Sequence, residues 1–108
     1  MSHLSAHVLD AAAGTPAAGV RVQLTSATGH PIATATTGPD GRVTALGPEQ
    51  LEPGPYQITF ATGDYFAERG VDCFYPSVTV LFTVAPDQAH YHVPLLLSPY
   101  SYTTYRGS

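Results

Sequence analysis

Three histidines are the first candidates for chemistry: His7 in "LSAHVLD", and His90 and His92 in "HYH". Imidazole titrates nearest to neutrality, so it can take or give a proton at working pH. Arg42 comes next, directly after the turn formers Asp40 and Gly41 in "TGPDG". Guanidinium is a planar, permanently charged donor suited to carbonyl and imide oxygens. The terminus is the third candidate, since Tyr105, Arg106, Gly107 and Ser108 put a ring, a cation and the last carboxylate within four residues. Four residues past Thr104 reach about 14 Å when extended, so if they act they fold over something nearby. A plain alternative stands beside each: surface histidines bonded to water or protein, a solvated strand end at Arg42, and a frayed tail.

Alternate residues of a strand point the same way, so the i, i+2 pair His90 and His92 also raises a metal site. Zinc asks for about three protein ligands, and no carboxylate or cysteine falls at supporting spacing nearby, so no metal is expected. A phosphate-binding glycine loop, a G-x-S-x-G elbow and a C-x-x-C pair are all absent, which leaves nucleotide binding and Ser or Cys acyl-enzyme chemistry without support. Cys73, beside Phe74 and Tyr75, reads as a small buried hydrophobe rather than a nucleophile.

The elements that must carry these groups are strands. In "LSAHVLD" Leu4, Ala6 and Val8 share one face while Ser5, His7 and Leu9 share the other. In "AHYHVPLLL" Tyr91, Val93, Leu95 and Leu97 oppose His90, His92 and Leu96, so the histidines face away from the core. "GVRVQLTS" and "SVTVLFTV" alternate in the same way, and "HPIATATT", "RVTAL", "YQITFAT" and "YSYTTYR" complete about eight short strands. The segment "TGDYFAERGV" breaks the pattern and predicts one short helix, with Thr62 or Asp64 as N-cap and Gly70 as stop. An outer face with Leu9, Leu81 and Leu96 is too apolar for a monomer and predicts self-association, with histidines near the interface.

Composition agrees with an all-β, two-sheet sandwich. The chain has 108 residues, enough for one domain, with 44% hydrophobic and 11% charged residues and ten each of Gly and Pro. Its four cations, Arg21, Arg42, Arg69 and Arg106, face eight carboxylates, for a net charge of -4, so nucleic acid and anionic membranes are poor partners. With Cys73 alone there is no intrachain disulfide, and the start "MSHLSAHVLD" lacks the charged and apolar regions of a signal peptide. A cytoplasmic protein without a membrane span is therefore expected.

Beyond these inferences, "LSAHVLDAAAGTPAAGVRVQL", "TGPDGRV", "GDYFAERG", "FYPSVTVLFTV" and above all "HYHVPLLLSPYSYTTYRGS" resemble the 5-hydroxyisourate hydrolase branch of the transthyretin-like family over essentially the whole chain. The terminal Tyr105-Arg106-Gly107-Ser108 is similar to that branch's tetrapeptide signature, which the hormone carriers of the family do not share. The resemblance implies an eight-stranded sandwich with a short helix, assembled as a homotetramer, a dimer of dimers. It also implies a site in the inter-dimer groove, with His7, Arg42, His92 and Ser108 catalytic and Tyr105, Arg106 and Gly107 binding substrate, without metal or cofactor. The reaction implied is hydrolytic ring opening of 5-hydroxyisourate to 2-oxo-4-hydroxy-4-carboxy-5-ureidoimidazoline in urate degradation. Either histidine can serve as base on sequence grounds, and His90 receives no role. Two competitors remain: a transthyretin-like carrier of a small aromatic ligand in the same groove, and a plain structural sandwich that would tolerate loss of the last four residues.

Overall fold

Period-two alternation is cleanest in "LSAHVLD", which forms β1 (Leu4–Asp10) with Leu4, Ala6, Val8 and Asp10 buried and Ser5, His7 and Leu9 half-buried. The computed structural model describes residues 2–107. The other elements are β2 (Thr15–Pro16), β3 (Arg21–Ser26), β4 (Pro31–Thr36), β5 (Arg42–Val43), β6 (Gly54–Phe60), α1 (Thr62–Glu68), β7 (Val78–Val84), β8 (Tyr91–Ser98) and β9 (Ser101–Thr104). One sheet runs β2-β1-β8-β9, with β5 also pairing β1, and the other runs β4-β3-β6-β7. The expected all-β sandwich with one short helix is what forms. Among the described residues, no helix is long and apolar enough to cross a membrane.

The core lies between the sheets. Leu4, Val8, Leu95 and Leu97 meet Val22, Leu24, Ile58 and Phe60, all almost inaccessible to water. Each such side chain stabilises the fold by roughly 1.5–3 kcal/mol relative to exposure. Leu81, grouped above with Leu9 and Leu96, lies elsewhere: it is on β7, in the opposite sheet, and 65% exposed. Parity fixes which face of its own sheet a residue takes, but the sheet itself is decided by pairing.

Three local expectations also change. Thr15 and Pro16, outside every strand read from the sequence, pair with Asp10 and Leu9 as a short strand. "RVTAL" is a strand only at Arg42 and Val43. The helix takes Ala61 as its N-cap, with no side-chain cap hydrogen bond, in place of the expected Thr62 or Asp64. Its end follows the sequence: the Gly70 N–H donates to the Ala67 carbonyl and the Val71 N–H to the Phe66 carbonyl, satisfying the last orphan carbonyls. Seven residues are too few for a stable free helix, so its buried Tyr65 and Phe66 hold it in place.

Tyr65 also ties the helix to β1. Its hydroxyl donates to Asp10 Oδ2 at 2.9 Å, and Asp10 Oδ1 accepts the amides of Ala12 and Ala13 at 3.1 and 2.9 Å. Burial, then the hydrogen bond and charge of Asp10, raise the Tyr65 pKa, while Arg69 works weakly against them. The Arg69 guanidinium lies 3.7 Å from the Tyr65 ring centre, a cation–π contact. Among the described residues, no buried side-chain nitrogen or oxygen lacks a hydrogen-bond partner.

Candidate active site

Strand pairing lays the polar groups out in two adjacent rows on the outer face of one sheet. Arg42 on β5, His7 on β1 and Pro94 on β8 form the first row, since His7 pairs with both neighbours. Ser5 on β1, His92 on β8 and Gly107 in the tail form the second. The His7 and His92 ring centroids are 6.4 Å apart, tilted by 37°.

A tight turn delivers Arg42. The Gly38 N–H donates to the Arg42 carbonyl, the Gly41 N–H donates to the Gly38 carbonyl, and Asp40 Oδ1 accepts the Arg42 amide at 3.1 Å. Gly41 is required twice over: its φ of +76° is left-handed, and a Cβ there would collide with the Val8 carbonyl oxygen. The Arg42 Nε stands 4.0 Å from Asp40 Oδ2, a loose pairing of half-exposed groups that leaves the guanidinium available. The same turn holds His7, whose Nε2 lies 2.9 Å from the Asp40 carbonyl oxygen. A carbonyl only accepts, so Nε2 carries the proton and a neutral His7 has its lone pair on Nδ1.

His92 has a different environment. Its Nδ1 lies 2.8 Å from Ser5 Oγ, which is also 3.0 Å from His90 Nε2. Burial first, then the charge of Arg42 and, more weakly, His7 and His90, pull the His92 pKa below its ordinary value. A neutral, half-buried imidazole beside a fixed cation is suited to taking a proton near pH 7. A hollow of about 280 Å³ opens here, lined by Ser5, Ala6, Arg42, Val43, Thr44, His90 and His92.

The tail folds back onto this site. The Thr104 hydroxyl donates to the Pro94 carbonyl at 2.8 Å, and the Gly107 N–H donates to the His92 carbonyl at 2.8 Å. Pairing of β8 with β9 stops at Leu95↔Thr104 and resumes in the same register at His92↔Gly107. The gap falls at Pro94, which has no N–H to give. Gly107 lies against the imidazole so closely that a Cβ there would sit 2.7 Å from His92 Cδ2, so only glycine fits without moving the ring.

The expected residues therefore separate. His7, Arg42, His92 and Gly107 come together. Tyr105 and Arg106 instead line a cavity of about 430 Å³ with Val80, Phe82, Tyr91 and Val93, reached from the opposite face of β8. Ser108 lies outside the described residues. Among those residues, no three His, Cys, Asp or Glu side chains gather where they could hold a metal ion. Sequence reasoning passed over Ser5, although its parity with His7 placed it on this face. It also left undistinguished the buried His3, whose Nε2 donates to the Gln88 carbonyl and whose Nδ1 accepts the Leu51 amide.

Comparison with known proteins bears on this geometry. The family model described as HIUase/Transthyretin family matches residues 4–107. A 5-hydroxyisourate hydrolase of Mus musculus is 46% identical over 113 residues, covering 99% of this chain and 96% of its own. The solved 5-hydroxyisourate hydrolase of Klebsiella pneumoniae superposes with a TM-score of 0.91 at 36% identity, covering 99% of this chain and 100% of its own. Sea bream transthyretin in complex with thyroxine superposes with a TM-score of 0.90, also at 36% identity, covering 97% of this chain and 94% of its own.

Proposed function

This chain belongs to the HIUase/Transthyretin family, and from that premise we propose that it hydrolyses 5-hydroxyisourate at the outer face of β1, β5 and β8. Fold similarity alone leaves hydrolase and carrier level, since both solved relatives match at the same identity. The polar face separates them. A carrier of an aromatic ligand has no use for two half-buried imidazoles and a guanidinium in adjacent rows, whereas hydrolysis needs a base, an oxyanion partner and a held ring.

In this reading His92 is the base. It draws a proton from water, and the oxygen adds to a carbonyl carbon of the six-membered ring. Arg42 faces the oxygen on which negative charge develops. Collapse of that adduct breaks the ring C–N bond, the nitrogen takes a proton, and the ring opens to 2-oxo-4-hydroxy-4-carboxy-5-ureidoimidazoline. His7, held through Nε2, offers Nδ1 to orient the water or substrate. Gly107 keeps the tail against His92, Ser108 is assigned a contact to the heterocycle, and Tyr105 and Arg106 serve a wall completed by another subunit. The observation that carries this reading is the His92 imidazole, kept neutral by burial and by Arg42 within the hollow.

The 108 residues act as one hydrolase domain. A homotetramer, a dimer of dimers, accounts for the open edges of β7 and β9 and for the exposure of Phe74, Leu81 and Tyr100. The one cysteine, free and half-buried, fits a reducing cytoplasm. Ultraviolet decay of freshly generated 5-hydroxyisourate tests the whole. Intact protein accelerates it, and protein truncated after Thr104 but still folded does not. Decay at the spontaneous rate with intact protein contradicts the proposal.

A further inference from the structure

His92 is one end of a chain of hydrogen bonds whose other end is a backbone carbonyl. The Ser2 carbonyl oxygen lies 3.2 Å from His90 Nδ1, His90 Nε2 lies 3.0 Å from Ser5 Oγ, and Ser5 Oγ lies 2.8 Å from His92 Nδ1. The direction of every bond follows from the first. A carbonyl oxygen only accepts, so His90 Nδ1 carries a proton, and in the neutral ring Nε2 then holds the lone pair. The Ser5 hydroxyl must donate its single hydrogen to that lone pair. Ser5 Oγ can then meet His92 only as an acceptor, which puts the His92 proton on Nδ1 and leaves the lone pair on Nε2.

We infer that Ser5 and His90 are positioning residues, which hold His92 in the Nδ1–H tautomer and so keep its Nε2 lone pair free to act as the base. The inference deepens the hydrolase reading and rests on it. Without the chain, His92 would be free to carry its proton on Nε2, the preference of a histidine ring in water, and the nitrogen needed as base would already be occupied. Two features make the chain a fixed bias. Ser5 and His92 are direct partners in the β1–β8 register, so their spacing is set by the sheet. The Ser2 carbonyl is anchored through its own residue, whose hydroxyl donates to the Leu46 carbonyl at 2.9 Å. When Nε2 takes a proton, all three bonds keep their direction, so turnover requires no reorganisation of the network.

The strand context assigns opposite tautomers to the two site histidines. His7 gives its Nε2 proton to the Asp40 carbonyl, and His92 gives its Nδ1 proton to Ser5. One ring therefore presents Nδ1 and the other Nε2 as the unprotonated nitrogen, and the two are not interchangeable as bases.

Nitrogen-15 NMR of the whole protein labelled at histidine reads the tautomers directly. His92 is expected as Nδ1–H in the wild type. In His90→Phe the Ser5 hydroxyl loses the acceptor that takes its hydrogen and, among the described residues, keeps His92 Nδ1 as its partner, so His92 is expected to change to Nε2–H. Ser5→Ala is expected to lower kcat about tenfold, part of what a general base contributes, with KM little changed, and Ser5→Thr to restore most of the rate. The wild-type spectrum decides even if a variant fails to fold. Rapid hydrolysis with His92 as Nε2–H overturns this inference and leaves the hydrolase reading standing. A wild type that does not accelerate decay overturns both.

Discussion

The two faces of β1 use polar side chains for opposite purposes. On one face Asp10 points inward and is sealed: both carboxylate oxygens are taken, by two amides and the Tyr65 hydroxyl, and Arg69 covers the Tyr65 ring. Three residues earlier His7 points outward, with Ser5 beside it on the same face and His92 and Arg42 across the strand pairs, and here each ring has one nitrogen committed to protein and one left over. A polar group with every bond satisfied contributes stability, because disturbing it leaves buried atoms unpaired. A polar group with one site left open can act on something else. Strand parity alone divides the two, since an odd step along β1 turns a residue from core to surface.

Substitutions can break this division. The largest effect is expected for Arg42→Gln, which removes the cation facing the developing oxyanion. kcat falls by roughly 10²–10³, the scale for loss of such a donor, while thermal unfolding stays close to wild type. Asp10→Ala is expected to do the reverse. It strands the Tyr65 hydroxyl and two amides, destabilises by about 3 kcal/mol and lowers Tm by on the order of 15 °C, with activity retained where the protein is folded. Tyr65→Phe leaves Asp10 Oδ2 without its donor and costs about 1–2 kcal/mol in denaturant unfolding, again with kcat preserved.

A smaller effect sharpens the comparison through pH. The His92 pKa is lowered from the ordinary histidine value, so the free enzyme keeps its base neutral to lower pH than an unperturbed imidazole would, and the acid limb of kcat/KM is displaced in the same direction. Burial is the larger cause and persists in Arg42→Gln; only the contribution of the cation is lost. The His92 pKa therefore rises part of the way back, and the acid limb moves to higher pH. An acid limb that stays in place contradicts the coupling of Arg42 to His92.

Much of this arrangement was legible in the sequence, and the reasons are local. Alternation in "LSAHVLD" and "HYHVPLLLS" placed His7 and His92 on outer faces, because a buried strand face tolerates few unpaired polar atoms. Asp40 and Gly41 announced the turn that delivers Arg42. What could not be read is non-local. Nothing in "SVTVLFTV" says that Leu81 belongs to the other sheet, and nothing in "HYH" says that Ser5 lies opposite His92 across a parallel pair. Nothing in "LSAHVLD" says that Asp10, the last residue of the strand, accepts a hydrogen bond from Tyr65 of the helix. The tail was half legible: its strand ends at Thr104, yet its pairing resumes at Gly107, and that depends on where Pro94 falls in the partner strand.

The central claim is that the outward face of β1, together with β8, performs the hydrolysis, and the initial rate of 5-hydroxyisourate loss with His92→Ala tests it most directly. The account predicts a variant that unfolds like the wild type but has lost roughly 10²–10⁴ in rate, the usual contribution of a general base. A folded His92→Ala protein that clears 5-hydroxyisourate as fast as the wild type would contradict it.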